Sequence, residues 1–380
     1  MLALHLILAF ISTTVVATAT VTSSSAATTA FLTPSRQQHS KCTPTRHGQS
    51  NLLVSSSSTL FSSTVVYEEP VFRPPAEWRS LILQVTIGCS WNRCSFCEMY
   101  QTKTFRVKSI EDIEEELESV AQFRGRTTVR DVFLADGEAM TLPTKQLVQI
   151  LDTIRYYFPN VRRISSYCLP RNIYRKSVPE LTLLKEKGLS LVYVGCESGS
   201  DAVLDAIDKG ETYETSLREL DKLQQAGIKR SIMILLGLGG TRYSREHAMV
   251  SAKLASDSQP EFLSVLTTSF PRGMARVEAG YQKHLESLGL VDDDDDNNQD
   301  PAFTPLTARE SLEELQVFLE HMDMETNRTV FRSDHASNYL VLKGRLGRDQ
   351  TKLIEQLTAV LEVPVEEDVY NLRPEWARGL

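Results

Sequence analysis

From about residue 80 onward, the apolar positions of this chain switch between two periods. Short β-rich apolar runs fall at 81–87, 129–135, 163–168, 189–195, 228–236 and 262–267. Between them, apolar residues recur at helical spacing over 110–123, 144–158, 178–187, 215–226 and 245–256, and a further helix starts at Ala202. Ser109 is placed to cap 110–123, with Asp112 at the capping-box offset, and Gly188 closes 178–187. Six strand–helix units in order predict an α/β fold on a parallel sheet. The strands are almost continuously apolar, as expected where helices cover them. A partial (β/α)6 TIM-like barrel and an open doubly wound sheet both fit the pattern. Helical spacing returns over 308–325 and 349–361, which predicts a C-terminal helical extension.

Residues 1–67 are a different polymer. They contain no Asp or Glu and three basic residues, Arg36, Lys41 and Arg46, whereas the whole chain carries −8. Residues 2–17 form an apolar run like a signal-peptide core, too short and Thr-rich for a membrane span. Residues 18–64 are rich in Ser, Thr and Ala, the composition of an organelle transit peptide. The join around Ala30-Phe31 resembles the cleavage motif of bipartite leaders in algae with secondary plastids. That resemblance implies a chloroplast destination, with the mitochondrion as alternative, and no membrane in the mature form. The expected organisation is a disordered leader over 1–67, a core over 68–275 and a C-terminal extension over 276–380. The acidic balance gives no support for nucleic-acid binding. Five consecutive aspartates at 292–296 read as a solvated loop, because the Gly and terminal Glu of an EF-hand are missing.

Three of the six cysteines lie within nine residues at the end of the first predicted strand: Cys89, Cys94 and Cys97. Three thiolates on one loop can converge on a metal centre, and soft sulfur ligands suit zinc or iron–sulfur clusters. Structural zinc sites usually close with four ligands. Three thiolates on a four-iron cubane leave one iron open. Cys168 and Cys196 are solitary and read as small core residues.

This loop, with Phe96 just before the last cysteine, resembles the signature of radical SAM enzymes, and the resemblance spans roughly residues 80–270. The departure is four residues, Ser90 to Arg93, between the first two cysteines where three are commonest. Further segments follow in family order at strand ends. Asp136-Gly137-Glu138 resembles the Gly-Gly-Glu motif whose backbone binds the methionine amino group, with Asp136 in place of Gly. Ser165, Ser166 and Tyr167, with Arg171 beyond them, fall where similar enzymes reach the ribose and carboxylate. Gly195-Cys196-Glu197-Ser198-Gly199 resembles the Elp3/MiaB/NifB-like group, in which Glu197 would accept from ribose hydroxyls. The run to Gly237-Leu-Gly239-Gly240 resembles the adenine-contacting edge.

The resemblance implies the partial barrel and a 4Fe-4S cluster on Cys89, Cys94 and Cys97. It also implies S-adenosyl-L-methionine held by Phe96, Gly137, Glu138, Ser166, Arg171, Glu197, Ser198 and Gly237. The expected activity is reductive cleavage of S-adenosylmethionine to a 5′-deoxyadenosyl radical that acts on an unknown substrate. The electron would come from a donor such as ferredoxin or flavodoxin. Trp91 and Asn92 are expected to shape the loop. The alternative is a zinc- or cluster-stabilised α/β binding or electron-transfer protein without radical chemistry. The polar stretch 331–339, with Asp334 and His335, is the candidate substrate contact.

Overall fold

The computed structural model describes residues 65, 67–290, 301–326, 328–364 and 372–378. Of the expected leader only residues 65 and 67 are among them, and the aspartate run lies outside them.

The chain enters through a 3-10 turn, Pro75–Glu77, and then forms β1 (Leu81–Gln84). The apolar run predicted over 81–87 is broken after Gln84. Residues Thr86–Ile87 (β2) leave the sheet and pair antiparallel with Arg106–Val107 (β3), a ribbon that frames the cysteine loop. Helix α1 (Ile110–Arg124) follows, and the Ser109 side chain accepts from the Asp112 amide as expected of its cap. Then come β4 (Asp131–Ala135), α2 (Thr144–Tyr157), β5 (Arg163–Cys168), the short α3 (Pro170–Tyr174), α4 (Val178–Glu186) and β6 (Leu189–Glu197). Helices α5 (Asp201–Ala206) and α6 (Tyr213–Gln225) precede β7 (Lys229–Leu236), α7 (Gly240–Ser258) and β8 (Phe262–Thr267).

The sheet runs β1-β4-β5-β6-β7-β8 with every pair parallel. It then continues where only helices were expected. After α8 (Ala275–Ser287) and α9 (Ala308–Glu320), β9 (Val330–Ser333) adds parallel to β8, and β10 (Leu342–Arg345) adds antiparallel to β9 before α10 (Gln350–Leu361). The C-terminal extension is therefore helical only in part. Its two strands are too short and polar to announce themselves by periodicity.

Alternation sorts the strand residues onto two faces. Leu134, Ile164, Val192, Ile234 and Val265 face the helices and form the main core. Ile82, Phe133, Ala135, Leu191 and Tyr193 face the other way and pack with Tyr67, Val71 and Tyr167. Phe133, Tyr167 and Tyr193 meet edge to face, with ring centroids 5.0–6.3 Å apart. Beneath them sits the fully buried carboxylate of Glu77. It accepts from Arg163 (2.9 Å), the Ser165 hydroxyl (2.9 Å), the Tyr193 phenol (2.7 Å) and the Ser80 hydroxyl. The inner face is thus a filled layer plugged by the segment before β1. Strands β1 and β10 remain edges, so this is a partial barrel.

Candidate functional site

The cysteines occupy the loop between β2 and β3, at the carboxyl end of β1. Ligands gather at this end of parallel sheets. All three are half-buried. Burial, with Glu138 nearby, pushes the Cys89 thiol up to about 12. Burial also pushes Cys94 up to about 11 and raises Cys97. Such thiols make poor nucleophiles; they lose their protons readily only to a metal. Among the described residues, no group of three His, Cys, Asp or Glu side chains is arranged to hold a metal ion. Three soft thiolates on one loop would suit a multi-iron cluster.

The loop is tied down on three sides. On the β4 side, Asp136 is fully buried. Its carboxylate accepts from the Gly88 amide at 3.0 Å and from Lys103 at 2.7 Å. The Lys103 ammonium also donates to the carbonyls of Glu68 and Pro70, at 2.6 and 2.7 Å. The replacement of the family's first Gly by Asp136 thus builds an ion pair under the loop. Gly137, at φ +25°, leaves no room for a side chain: a Cβ would sit 2.0 Å from the Gly88 carbonyl oxygen. Glu138, buried, accepts from the Ser90 amide at 2.8 Å, and burial raises its pKa.

On the β8 side, Arg276 at the start of α8 donates to the carbonyls of Cys97 and Cys94, at 2.8 and 3.0 Å. A helix after β8 that reaches a loop after β1 shows that the sheet curls. Helix α8 lies close against α5 through Gly280, whose Cβ would stand 2.3 Å from the Ala206 carbonyl. Ser95 Oγ, between the cysteines, is buried without a partner.

On the β6 side, Glu197 ends the strand at φ +65° beside Lys209, whose fully buried ammonium is 3.2 Å away. The Glu211 charge also reaches Lys209, and with Glu197 it raises the Lys209 pKa above the ordinary value despite the burial. Gly195 leaves the space that Glu197 Oε1 fills: a Cβ there would lie 2.2 Å from that atom.

The remaining expected residues divide. Phe96 packs with Val203, Leu238 and Tyr281 near the loop. Ser198 donates to Nδ1 of His247 at 2.8 Å, behind the strand ends; His247 Nε2 faces the Leu235 carbonyl at 3.0 Å. Gly237 donates its amide to Glu314 of α9 at 2.7 Å. Ser166 lies on the face shared with Ile164 and Cys168, toward the helices, and its hydroxyl meets the Tyr167 carbonyl; Ser165 and Tyr167 face inward. The Arg171 fork is occupied by Glu211 and the Lys209 carbonyl. Within 331–339, Asp334 pairs with Lys343, and Asn338 bonds Thr267 and the Val265 carbonyl. Arg373 takes the carbonyls of His335, Ala336 and Asn338. Much of that segment's polarity is spent on holding its own loop. Cys168 and Cys196 are core residues, as expected.

Lys103 and Arg276 carry no local sequence pattern, and only the fold brings them to the loop. Lys209 closes the segment that follows Glu197 in the sequence, but its pairing with that carboxylate needs the fold.

A curled parallel α/β sheet with three soft donors on the loop after its first strand defines a cofactor-dependent enzyme scaffold. Residues 83–250 match the Radical SAM superfamily, and the chain carries a domain of that superfamily. Among curated proteins, it is similar to the heme chaperone HemW of Bacillus subtilis (strain 168), 20% identical over 39% of each chain. It is also similar to the 4'-phospho-dehydrooxetanocin synthase of Priestia megaterium, 23% identical over 41% of this chain and 23% of that one. The chain thus spans well under half the length of both relatives. Similar solved structures include methylornithine synthase (PylB), with TM-score 0.41 and 14% identity over 77% of this chain and 84% of that one. Another is the radical S-adenosylmethionine methyltransferase TsrM from Kitasatospora setae, with TM-score 0.42 and 18% identity over 76% and 53%.

The residues present fit the cluster and S-adenosylmethionine that the superfamily implies. The donors on the loop are three soft thiols. The cations Lys209 and Arg276 face a centre that three thiolates would make anionic. Gly195 makes room for the Glu197 carboxylate, and that buried, charge-paired carboxylate suits a polar ligand at the strand end.

Proposed function

We propose that this protein binds a 4Fe-4S cluster on Cys89, Cys94 and Cys97 and cleaves S-adenosylmethionine reductively, within an Elp3/MiaB/NifB-like subgroup. The observation that carries the reading is the three-thiol loop, fixed at the carboxyl end of the sheet between Glu138 and the Glu197–Lys209 pair. When bound, the cluster would supply the electron that splits the sulfonium into methionine and a 5′-deoxyadenosyl radical. The chain's own contribution is positional. Glu138 and Asp136 fix the start of the loop through the Ser90 and Gly88 amides. Glu197, held by Lys209, offers its carboxylate to ribose hydroxyls. The aromatic inner layer of Phe133, Tyr167 and Tyr193 excludes water beneath. A one-electron donor of the ferredoxin or flavodoxin type and a plastid location complete the proposal.

The test is anaerobic iron and sulfide reconstitution, followed by dithionite reduction with S-adenosylmethionine. We expect iron near four per chain, and 5′-deoxyadenosine with methionine. Cys94→Ala should lose the cluster absorbance and the product. Zinc near one per chain with no iron would overturn the reading.

A further inference from the structure

The cysteine loop carries one residue more than the commonest spacing, and Trp91 and Asn92 stand in the enlarged gap. Asn92 adopts the left-handed region, φ +43°, and its side-chain Nδ2 donates to the Tyr100 carbonyl at 3.0 Å. That swing carries Trp91 outward onto the turn between α5 and α6. There its indole N–H donates to the Asp208 carbonyl at 2.7 Å. Its ring lies under the Arg171 guanidinium, 3.5 Å from the charge centre, with Arg93 at 4.7 Å. Arg171 is itself fixed by Glu211 (2.8 Å) and the Lys209 carbonyl (2.7 Å). Arg93 pairs with the Asp208 carboxylate at 2.9 Å, and the Ser95 amide donates to the Ile207 carbonyl at 2.9 Å. Every residue from Ile207 to Glu211 therefore bears on the cysteine loop or on this stack. Gly210 does so by having no side chain: a Cβ there would stand 2.3 Å from Arg171 Nη2 and 2.5 Å from Trp91 Cζ2. The neighbouring residue, Lys209, is the partner of Glu197.

We infer that Trp91, Arg171 and Gly210 form a latch that docks the lengthened cysteine loop on the Ile207–Glu211 turn, and that Trp91 and Arg171 are positioning residues for the cluster. The extra residue lets the loop reach this turn. The turn in turn holds the loop on one side and Glu197 on the other, so the cluster ligands and the ribose-binding carboxylate share one support. The inference rests on the proposed cluster reading for its consequence, and on protein contacts alone for its geometry.

Three variants test it. Trp91→Ala removes the stack. Trp91→Phe keeps the ring face and loses the N–H. Gly210→Ala pushes both partners aside without altering either. Gly227→Ala is the control, because Gly227 has the same left-handed backbone (φ +73°) with nothing within 4 Å of its added Cβ. In the full chain, we expect Trp91→Ala and Gly210→Ala to melt cooperatively. Both should lose iron to a chelator at least about tenfold faster than wild type, with an altered electron paramagnetic resonance signal on adding S-adenosylmethionine. Trp91→Phe should fall between, and Gly227→Ala should match wild type. Amide hydrogen exchange on the unreconstituted protein should rise at 90–97 and 207–211 in the two latch variants only. Wild-type iron retention and exchange in both variants would overturn the latch. A wild-type protein that takes up no cluster would overturn the functional reading instead, and the exchange experiment would still decide the latch.

Discussion

Glu77 shows what a single residue does in this molecule. Its carboxylate is fully buried and collects four donors from three segments, so its loss strands them. Removing one side of a buried ionic network costs more than the network contributes, because the partners left behind are desolvated and unpaired. Arg163 is half-buried and can turn to water, which moderates the loss. Glu77→Ala should therefore lower the unfolding free energy by about 3 kcal/mol, read from urea midpoints, and Glu77→Gln by less. No local motif marks this role, because three of the four donors come from strands far along the chain. The cysteines were legible for the opposite reason: their chemistry is encoded by local spacing. Asp136 lies between these cases. It was seen as a departure from a motif, and its function as a counter-ion to Lys103 needed the fold.

At the scale of elements, the outward-facing strands and their helices were readable because their period is set by the core that they share. Strands β5 and β8 fall where the apolar runs place them, and β4, β6 and β7 within two residues. The first run misled, because Thr86 and Ile87 are buried in a separate ribbon, and burial alone does not say in which sheet. Helix α8 and strands β9 and β10 were missed. Their apolar content is low, and long-range pairing sets them rather than local preference. Helix α9 was foreseen, but not that Glu314 would turn inward. Its carboxylate accepts from the Gly237 amide and the Ser244 hydroxyl (2.6 Å), and burial pushes its pKa up to about 7. The buried His247, 3.8 Å away, is pushed down to about 4. Between roughly pH 4.5 and 7 the folded state holds the Glu314 proton that the unfolded chain has lost, so this group makes stability fall as pH rises. His247 acts oppositely between about 4 and 6.5, where the unfolded chain binds the extra proton. The two nearly offset each other up to about pH 6.5, and above that Glu314 acts alone. Stability should therefore decline from pH 6.5 to 7.5. Glu314→Gln should abolish the decline and gain up to about 3 kcal/mol over wild type at pH 7.5, measured by urea unfolding at both pH values.

For the whole molecule, the question is where the functional unit ends. Motifs along the chain suggest a core that closes after the sixth strand, and the superfamily match also stops early, at residue 250. The packing continues well past both. Helix α8 supplies Arg276 to the carbonyls of two cysteines. Helix α9 buries Leu312, Leu315, Phe318 and Leu319 in the main core and fixes Gly237 through Glu314. Strand β9 covers the edge that β8 would otherwise expose, and Phe331 joins the same core. An open apolar edge of this kind invites misassociation, and losing four buried helix side chains removes several kcal/mol of hydrophobic burial, at roughly 2 kcal/mol each. That sum is comparable with the entire stability of a typical domain. A chain ending at Gly273 keeps the three cysteines and every strand-end motif through Gly240, and loses all of these supports. It should lack a cooperative urea transition, show weak near-ultraviolet circular dichroism, and retain little iron after reconstitution, while the full chain does all three. A sharp transition with bound cluster in the shortened protein would mean that the segment after β8 decorates a self-sufficient core rather than completing it.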